Sequence, residues 1–304
     1  GTILDVGPNG QVTAAGPILH QTGGTTTINQ GGILVHDNSQ LTGSQLVNST
    51  NGVITVNNGP LAGAANNSSL TTTSTAPAIH TTGGSLTLGP GSSGLSITDH
   101  SHANFTGPIM GTNGTAVTID GSPLVTVSNN SSLTSPSTSP AIQMTGGSLT
   151  LGPSSSVLSV SDNSIVNVGG PVFQAIGTTL NQTGATVPLI DVRGGSSLTA
   201  GGRLVDIRNT SLSMPGQPLV RVADGSRLTT TVGPSFCVID GTLVADSLIQ
   251  SMGTPANQIN LRGPLLHLDR ASAQLGQLLD NANQSSLTRI ALGVGEPVVT
   301  LQDS

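Results

Sequence analysis

Short runs of alternating apolar and polar residues recur along the whole chain, each cut off by a cluster of Gly, Asn, Ser or Pro. PLVTV at 123–127 is one such run. Its two-residue period puts Val125 and Val127 on one face and Thr126 on the other, the mark of a half-buried strand. Leu124 directly follows Pro123, where a bend also turns it inward. A turn (SNN, 128–130) and a second run (SSLT, 131–134) follow, then a Ser- and Pro-rich turn.

Two runs and two turns make a unit of about 14–17 residues that usually opens with Pro and two apolar residues. From Pro77 to Ser139 the units read PAIHTTGGSLTLGPGSS, GLSITDHSHANFTG, PIMGTNGTAVTIDGS and PLVTVSNNSSLTSPSTS. The text then repeats: residues 66–108 and 129–171 agree at 29 of 43 positions. The chain thus divides into a first unit at 2–16, three four-unit blocks at 17–76, 77–139 and 140–202, and divergent units over 203–304.

One unit cannot bury its apolar face alone, whereas stacked units form continuous inward columns. The predicted fold is all-β: one parallel β-solenoid, or β-helix, with one short coil of about 14–17 residues per unit. At ~4.8 Å per coil, about nineteen coils would make a rod on the order of 90 Å long. Three or four inward Val, Ile or Leu side chains per coil, at ~1.5–3 kcal/mol each, offset the entropy of ordering it. Pro fits the corners, because it lacks a ladder donor and is tolerated at the first residue of a strand. A β-sandwich would not repeat near-identical units a dozen times, and a helical solenoid lacks its 3.6-residue period. Only ASAQLGQLLDNAN (271–283) reads as a short helix.

Composition narrows the class further. Charged residues make up 7% of the 304, with no Trp, no Tyr and three Phe, while 35% are hydrophobic, too many for a disordered tail. Lys is absent, Glu296 is the single glutamate, and all eight Arg lie between Arg193 and Arg289. So little positive charge, without aromatic stacking residues, argues against nucleic acid as a partner. No apolar stretch is long enough for a membrane-inserted helix. Cys237, the single cysteine, sits in FCVID and reads as a small buried hydrophobe. The chain opens on Gly without a basic and apolar leader, as expected of a processed mature chain or an excised segment.

The phrases GGSLTL (83–88 and 146–151) and GSSLT (195–199), in a Lys-free background rich in Ser, Thr, Asn and Gly, carry a likeness. With them the chain resembles the β-helical surface proteins of bacteria, the filamentous-haemagglutinin-like adhesins and autotransporter passenger stalks. That resemblance implies a secreted, extracellular rod at the cell surface, used for display, adhesion or assembly. It implies no catalytic residue.

The pattern itself offers no catalytic, cofactor or metal residue. Asp99, His100 and His102 in DHSH form the one His cluster, with both His on one face by alternation. One block later the equivalent positions are Asp162, Asn163 and Ile165, so the cluster is not kept. His20 and His80 are equivalent, but the third copy has Gln143. Asp37, Asp99 and Asp162 recur just before turn residues and read as Asx turns. Asp191, Asp206 and Arg221 take equivalent outward positions in three successive units, as do Arg193 and Arg208, which predicts a cross-strand Asp206–Arg221 pair. Phe173 and Phe236 read as core. Outward Thr is not expected to align from coil to coil, so an ice-binding face is set aside. Asn48, Asn104, Asn113, Asn181 and Asn209 head Asn-x-Ser/Thr triplets, acceptors for glycosylation in a secreted chain.

Neither end shows the polar cap that closes most solenoids. Unpaired strand edges invite another chain, and a head-to-tail contact that does not close builds a filament. The expected function is therefore a non-enzymatic structural subunit of an extracellular fibre or sheath, with other copies of itself as partners. Thr2, Ile3, Leu4, Asp5 and Val6 of one copy would stack near Pro297, Val298, Val299, Thr300 and Leu301 of the next. The alternative is an adhesin stalk that binds a host or cell-surface ligand.

Overall fold

The alternating runs pair in parallel throughout the computed structural model, which describes residues 2–184, 186–281, 289–291 and 297–302. All described elements are strands, and they build a single β-solenoid. Three sheets of ten strands run its length, and a fourth contains six. We call them A (from Leu4–Val6), B (from Gln11–Thr13), C (from Pro17–Thr22) and D (from Thr25–Ile28).

The coil is twice as long as the repeat unit suggests. Leu4 pairs with Ile33, Ile33 with Ala62, Ala62 with Leu95 and Leu95 with Val125, so each turn of the solenoid takes up two repeat units. A repeat unit is therefore half a coil: one supplies strands to A and B, the next to C and D. The four-unit blocks are two coils, as the path from Leu95 through Val125 to Leu158 makes plain. The physical reason is closure. Two walls of inward side chains need about 10 Å between them, and a loop of two short strands encloses no such space. Nine turns separate the first and last strands of sheet A, so the rod is on the order of 45 Å long rather than 90.

Most inward columns are apolar, although one in sheet C begins with Gln21, Ser49, Thr81 and Thr112 before turning apolar at Met144. In sheet B, Leu41, Leu70, Ala103, Leu133, Val166, Leu198, Leu228 and Ile259 follow one another in register, each 0% exposed. Leu124 is turned inward as its Pro corner predicts, and Phe105, Phe173 and Phe236 are all buried.

The corner between sheets A and B is built from polar residues. Asp37–Asn38, Asn66–Asn67, Asp99–His100, Asn129–Asn130, Asp162–Asn163 and Gly194–Gly195 all take φ between 55° and 75°. Asn, Asp and Gly adopt this left-handed region most readily, which is why they recur there. The Ser after each pair is buried inside the corner. There the amide of Ser39 donates to Ser68 Oγ, that of Ser68 to Ser101, and so on through Ser131, Ser164, Ser196 and Ser226, each at 3.1 Å. Asn257 closes the row by accepting from Ser226. Each buried amide so satisfied avoids a penalty of about 1–3 kcal/mol.

Sheet D does not stop after six strands but fuses with A. The strands Ser211–Ala223, Thr242–Met252 and Ser272–Asn281 run through both positions, because the corner between D and A has shortened. Ser272–Asn281 covers most of the stretch whose sequence suggests a helix. It is a strand because it pairs along its length with Thr242–Met252, from Ser272 on Thr242 to Asn281 on Ser251. Ladder pairing overrides local preference here.

Candidate functional site

Two places on the solenoid collect the sequence candidates: its two edges and the outer face of sheet C. Leu4–Val6 is the outermost strand of sheet A and Val299–Gln302 that of sheet C. Ile3, Val298 and Leu301 are three of the six exposed large apolar side chains among the described residues. The outward column of sheet A ends on Asp5 at one edge and Asp280 at the other. That of sheet C ends on His20 and Thr300. Residues 2–6 and 297–301 thus lie on different sheets, half a turn apart around the axis.

Near the first edge, His36 is clamped between two carboxylates: Nε2 lies 2.7 Å from Asp5 Oδ1 and Nδ1 2.8 Å from Asp37 Oδ2. Both ring nitrogens must donate, which is the imidazolium form. The hydrogen bonds to Asp37 and then Asp5 raise the His36 pKa above its ordinary value, while the bonds from His36 and Asn66 lower that of Asp37. Sequence reasoning misses this cluster because Asp5 and His36 stand one true coil apart along the chain.

His100 and His102 do not share one strand face as alternation would have it. His100 is the second left-handed residue of its turn, Ser101 behind it is buried, and His102 opens a strand and contacts Ser132 Oγ at 2.8 Å. Asp37, Asp99 and Asp162 sit in turns as expected, with Asn66 donating to Asp37 and Asn129 to Asp99. His20, His80 and Gln143 do share a column on sheet C, interleaved with Asn48 and Gly111.

The predicted Asp206–Arg221 pair is not formed, because alternate units face different sheets. Arg221 grips Asp191 on sheet A, Nε at 2.8 Å and Nη2 at 2.6 Å, with Arg193 3.8 Å away. Asp206 lies on sheet C and is 1% exposed. Its Oδ2 accepts from Arg203 Nη1 (2.8 Å), Arg208 Nη2 (2.9 Å) and Gln174 Nε2 (2.8 Å), and its Oδ1 from Arg208 Nε (3.1 Å). Burial pushes the Asp206 pKa up, but the bonds from Arg208 and Gln174 and the two guanidinium charges outweigh it and hold it low. A groove of about 490 Å³ lies over this set, walled by Gly169, Gly170, Gly201, Gly202 and Val232. Cys237 follows Asp206 in the same outward column yet is buried, and burial raises its thiol pKa to about 11.

Sheet D corrects one further expectation. Thr27, Thr55, Thr87, Thr118 and Thr150 align in a single outward column, followed by Asn181. Counting by half-coils scatters them. Thr is a favoured residue on a half-exposed strand face, so the column follows from the fold without a ligand.

No protein-family model and no curated protein matches the chain. Among solved structures, the chain is similar to "Geobacillus virus E2 - ORF18", with a TM-score of 0.38 and 10% identity over 94% of this chain. The chain spans 55% of that protein's length.

Proposed function

We propose that the chain is a non-enzymatic structural element of an extracellular fibre or sheath, whose subunits stack coil on coil, head to tail. The observation that carries this reading is the placement of Ile3, Val298 and Leu301, exposed apolar side chains on the two edge coils. A further coil would cover them and pair the free ladder groups beside them. The Lys-free, Ser-, Thr- and Asn-rich composition supports a secreted, surface setting.

The charges at the edges select how copies stack. An unrotated neighbour would set Asp5 against Asp280, two acids at ~4.8 Å, which is destabilising. Turned by half a coil, the neighbour presents Asp5 to Thr300 and His20 to Asp280, a hydroxyl to an acid and an imidazole to an acid. The half-turn fits because the A/B and C/D halves share one sequence grammar. It also brings residues 2–6 against 297–301.

Cysteine trapping tests the arrangement, since facing residues on neighbouring strands come within disulfide reach, ~5 Å between Cα atoms. With Asp5, His20 and Asp280 left in place, a chain carrying Ile3→Cys and Val298→Cys should oxidise to covalent multimers, and one carrying Thr22→Cys and Gln302→Cys, the two ends of one sheet C column, should not. Multimers from the second alone would replace the half-turn with direct stacking, and none from either would sink the fibre reading. The groove over sheet C favours a second reading, an adhesin stalk that binds a host or surface ligand.

A further inference from the structure

The outer face of sheet C holds a set of polar side chains more elaborate than a rod needs. Gln143, Gln174 and Asp206 are in register on three successive coils. Gln143 Nε2 donates to Gln174 Oε1 at 3.1 Å, and Gln174 Nε2 to Asp206 Oδ2 at 2.8 Å. Every amide in this row therefore has a fixed direction, and Gln143 Oε1 is left at its head as an acceptor.

At the other end one carboxylate is shared by two guanidinium groups, which leaves one positive charge unmatched. Arg208 commits Nε and Nη2 to Asp206, and Arg203 commits Nη1. Arg208 Nη1 and the Nε and Nη2 of Arg203 have no partner among the described residues. Both side chains reach the surface, at 26% exposed for Arg203 and 38% for Arg208. They are held in place by the buried Asp206, so their free edges are set before any ligand arrives.

The position of Arg203 is itself informative. Pro77, Pro108, Pro140, Pro171, Pro234 and Pro264 occupy the same corner in other coils, each two residues before its sheet C strand. Gln45 fills the place in one early coil, opposite Pro17. Arg203 is the one cation there, in a chain of net charge −6 with no Arg or Lys before residue 193. Within the groove this excess cation attracts an anion, in a chain whose net charge is negative.

We propose that the groove over sheet C binds a linear saccharide bearing carboxylates. One carboxylate is taken by the free edges of Arg203 and Arg208. Its neighbouring hydroxyls lie along the Gln174–Gln143 row, where Gln143 Oε1 accepts. The ligand runs parallel to the rod axis across successive coils, and Val232, 60% exposed on the groove wall, meets an apolar sugar face. This site is independent of edge-to-edge assembly, so either can fail without the other.

The test is a calorimetric titration of the full chain with an oligomannuronate, its neutral methyl ester and the monomeric acid. The oligomer should bind, with the ester and the monomer each weaker by about tenfold or more, the loss of one charge-assisted contact or of the extended row. Arg203→Pro restores the corner found in the neighbouring coils, and no backbone hydrogen bond from the Arg203 amide is lost. It should fold, with a lowered melting temperature because the buried Asp206 keeps Arg208 and Gln174 but loses one guanidinium partner, and bind about tenfold more weakly or worse. Equal binding of acid and ester, equal binding of oligomer and monomer, undiminished binding by Arg203→Pro, or no saturable binding by the wild type would each overturn the proposal.

Discussion

At the scale of the residue, the clearest switch is His36. Its raised pKa means that the clamp on Asp5 and Asp37 is fully present below the ordinary His value of 6.5. It is lost as pH rises through the raised value. Asp37, with its lowered pKa, contributes above its ordinary 3.8 and loses that contribution only as pH falls through the lowered one. Between these limits the clamp ties the first coil to the second. Ile3 and Leu4 report on it, since both amides donate to Gly32 O, at 2.9 and 3.1 Å. Their hydrogen exchange, corrected for intrinsic rate, should rise a few-fold as pH passes from about 6 to about 9. His36→Gln should exchange at the faster rate throughout. A wild-type profile flat in pH would show that the first coil is held by pairing and packing alone.

The ion pairs show what the sequence can and cannot disclose about the candidate site. Asp191, Asp206, Arg208 and Arg221 stand out in it as outward charges, and all four are paired in the fold. Their partners differ from the expected ones for one reason: a step of one unit changes the sheet, and only a step of two units returns to it. Arg203 carries a legible signal, as the cation in a column of Pro. Gln174 carries none, since a buried Gln on an outward column looks like any surface amide until Asp206 is placed beside it.

At the scale of the element, strands, turns and the inward or outward sense of each side chain are legible, because each depends on two-residue alternation and turn chemistry. Val125, Val127, Phe173 and Phe236 face the core as their spacing requires. Coil length is not legible. Each unit contains two strands and two turns, which is also a plausible closed coil on paper. Only the space needed between facing walls decides against it. The strand Ser272–Asn281 is the other miss, where Leu275, Leu278 and Leu279 satisfy a helical spacing as well as a strand with a corner.

The Gly pairs between sheets C and D allow a sharper test of stacking at this scale. Gly146 and Gly147 both have positive φ, 62° and 66°. Around Gly146 an added Cβ would find only Gly114, at 3.7 Å. At Gly147 it would run into the Thr115 carbonyl of the preceding coil. Gly146→Asn, the residue type already found at Asn51 and Asn209, should cost well under about 1 kcal/mol. Gly147→Ala should cost about 2 kcal/mol or more, backbone strain plus the clash between coils. Urea unfolding of the two variants measures the difference. Equal costs would mean that the coils are not stacked this closely.

At the scale of the whole molecule, the chain is a rod that varies less inside than outside. The inward columns and the buried Ser row run coil after coil, while the outward columns drift through His, Asn, Gln, Asp and Thr. A rod of this kind gains little from stopping at a given coil, since every added coil repeats the same burial and the same ladder bonds. The groove over sheet C and the clamp at His36 are local additions to it.

Electron microscopy of the purified wild-type chain across a concentration series tests head-to-tail stacking most directly. The expected result is filaments one solenoid wide, lengthening with concentration. Each subunit should add ten coils, a rise on the order of 48 Å, with a rotation of about half a turn from one subunit to the next. Separate rods on the order of 45 Å long at every concentration would contradict it.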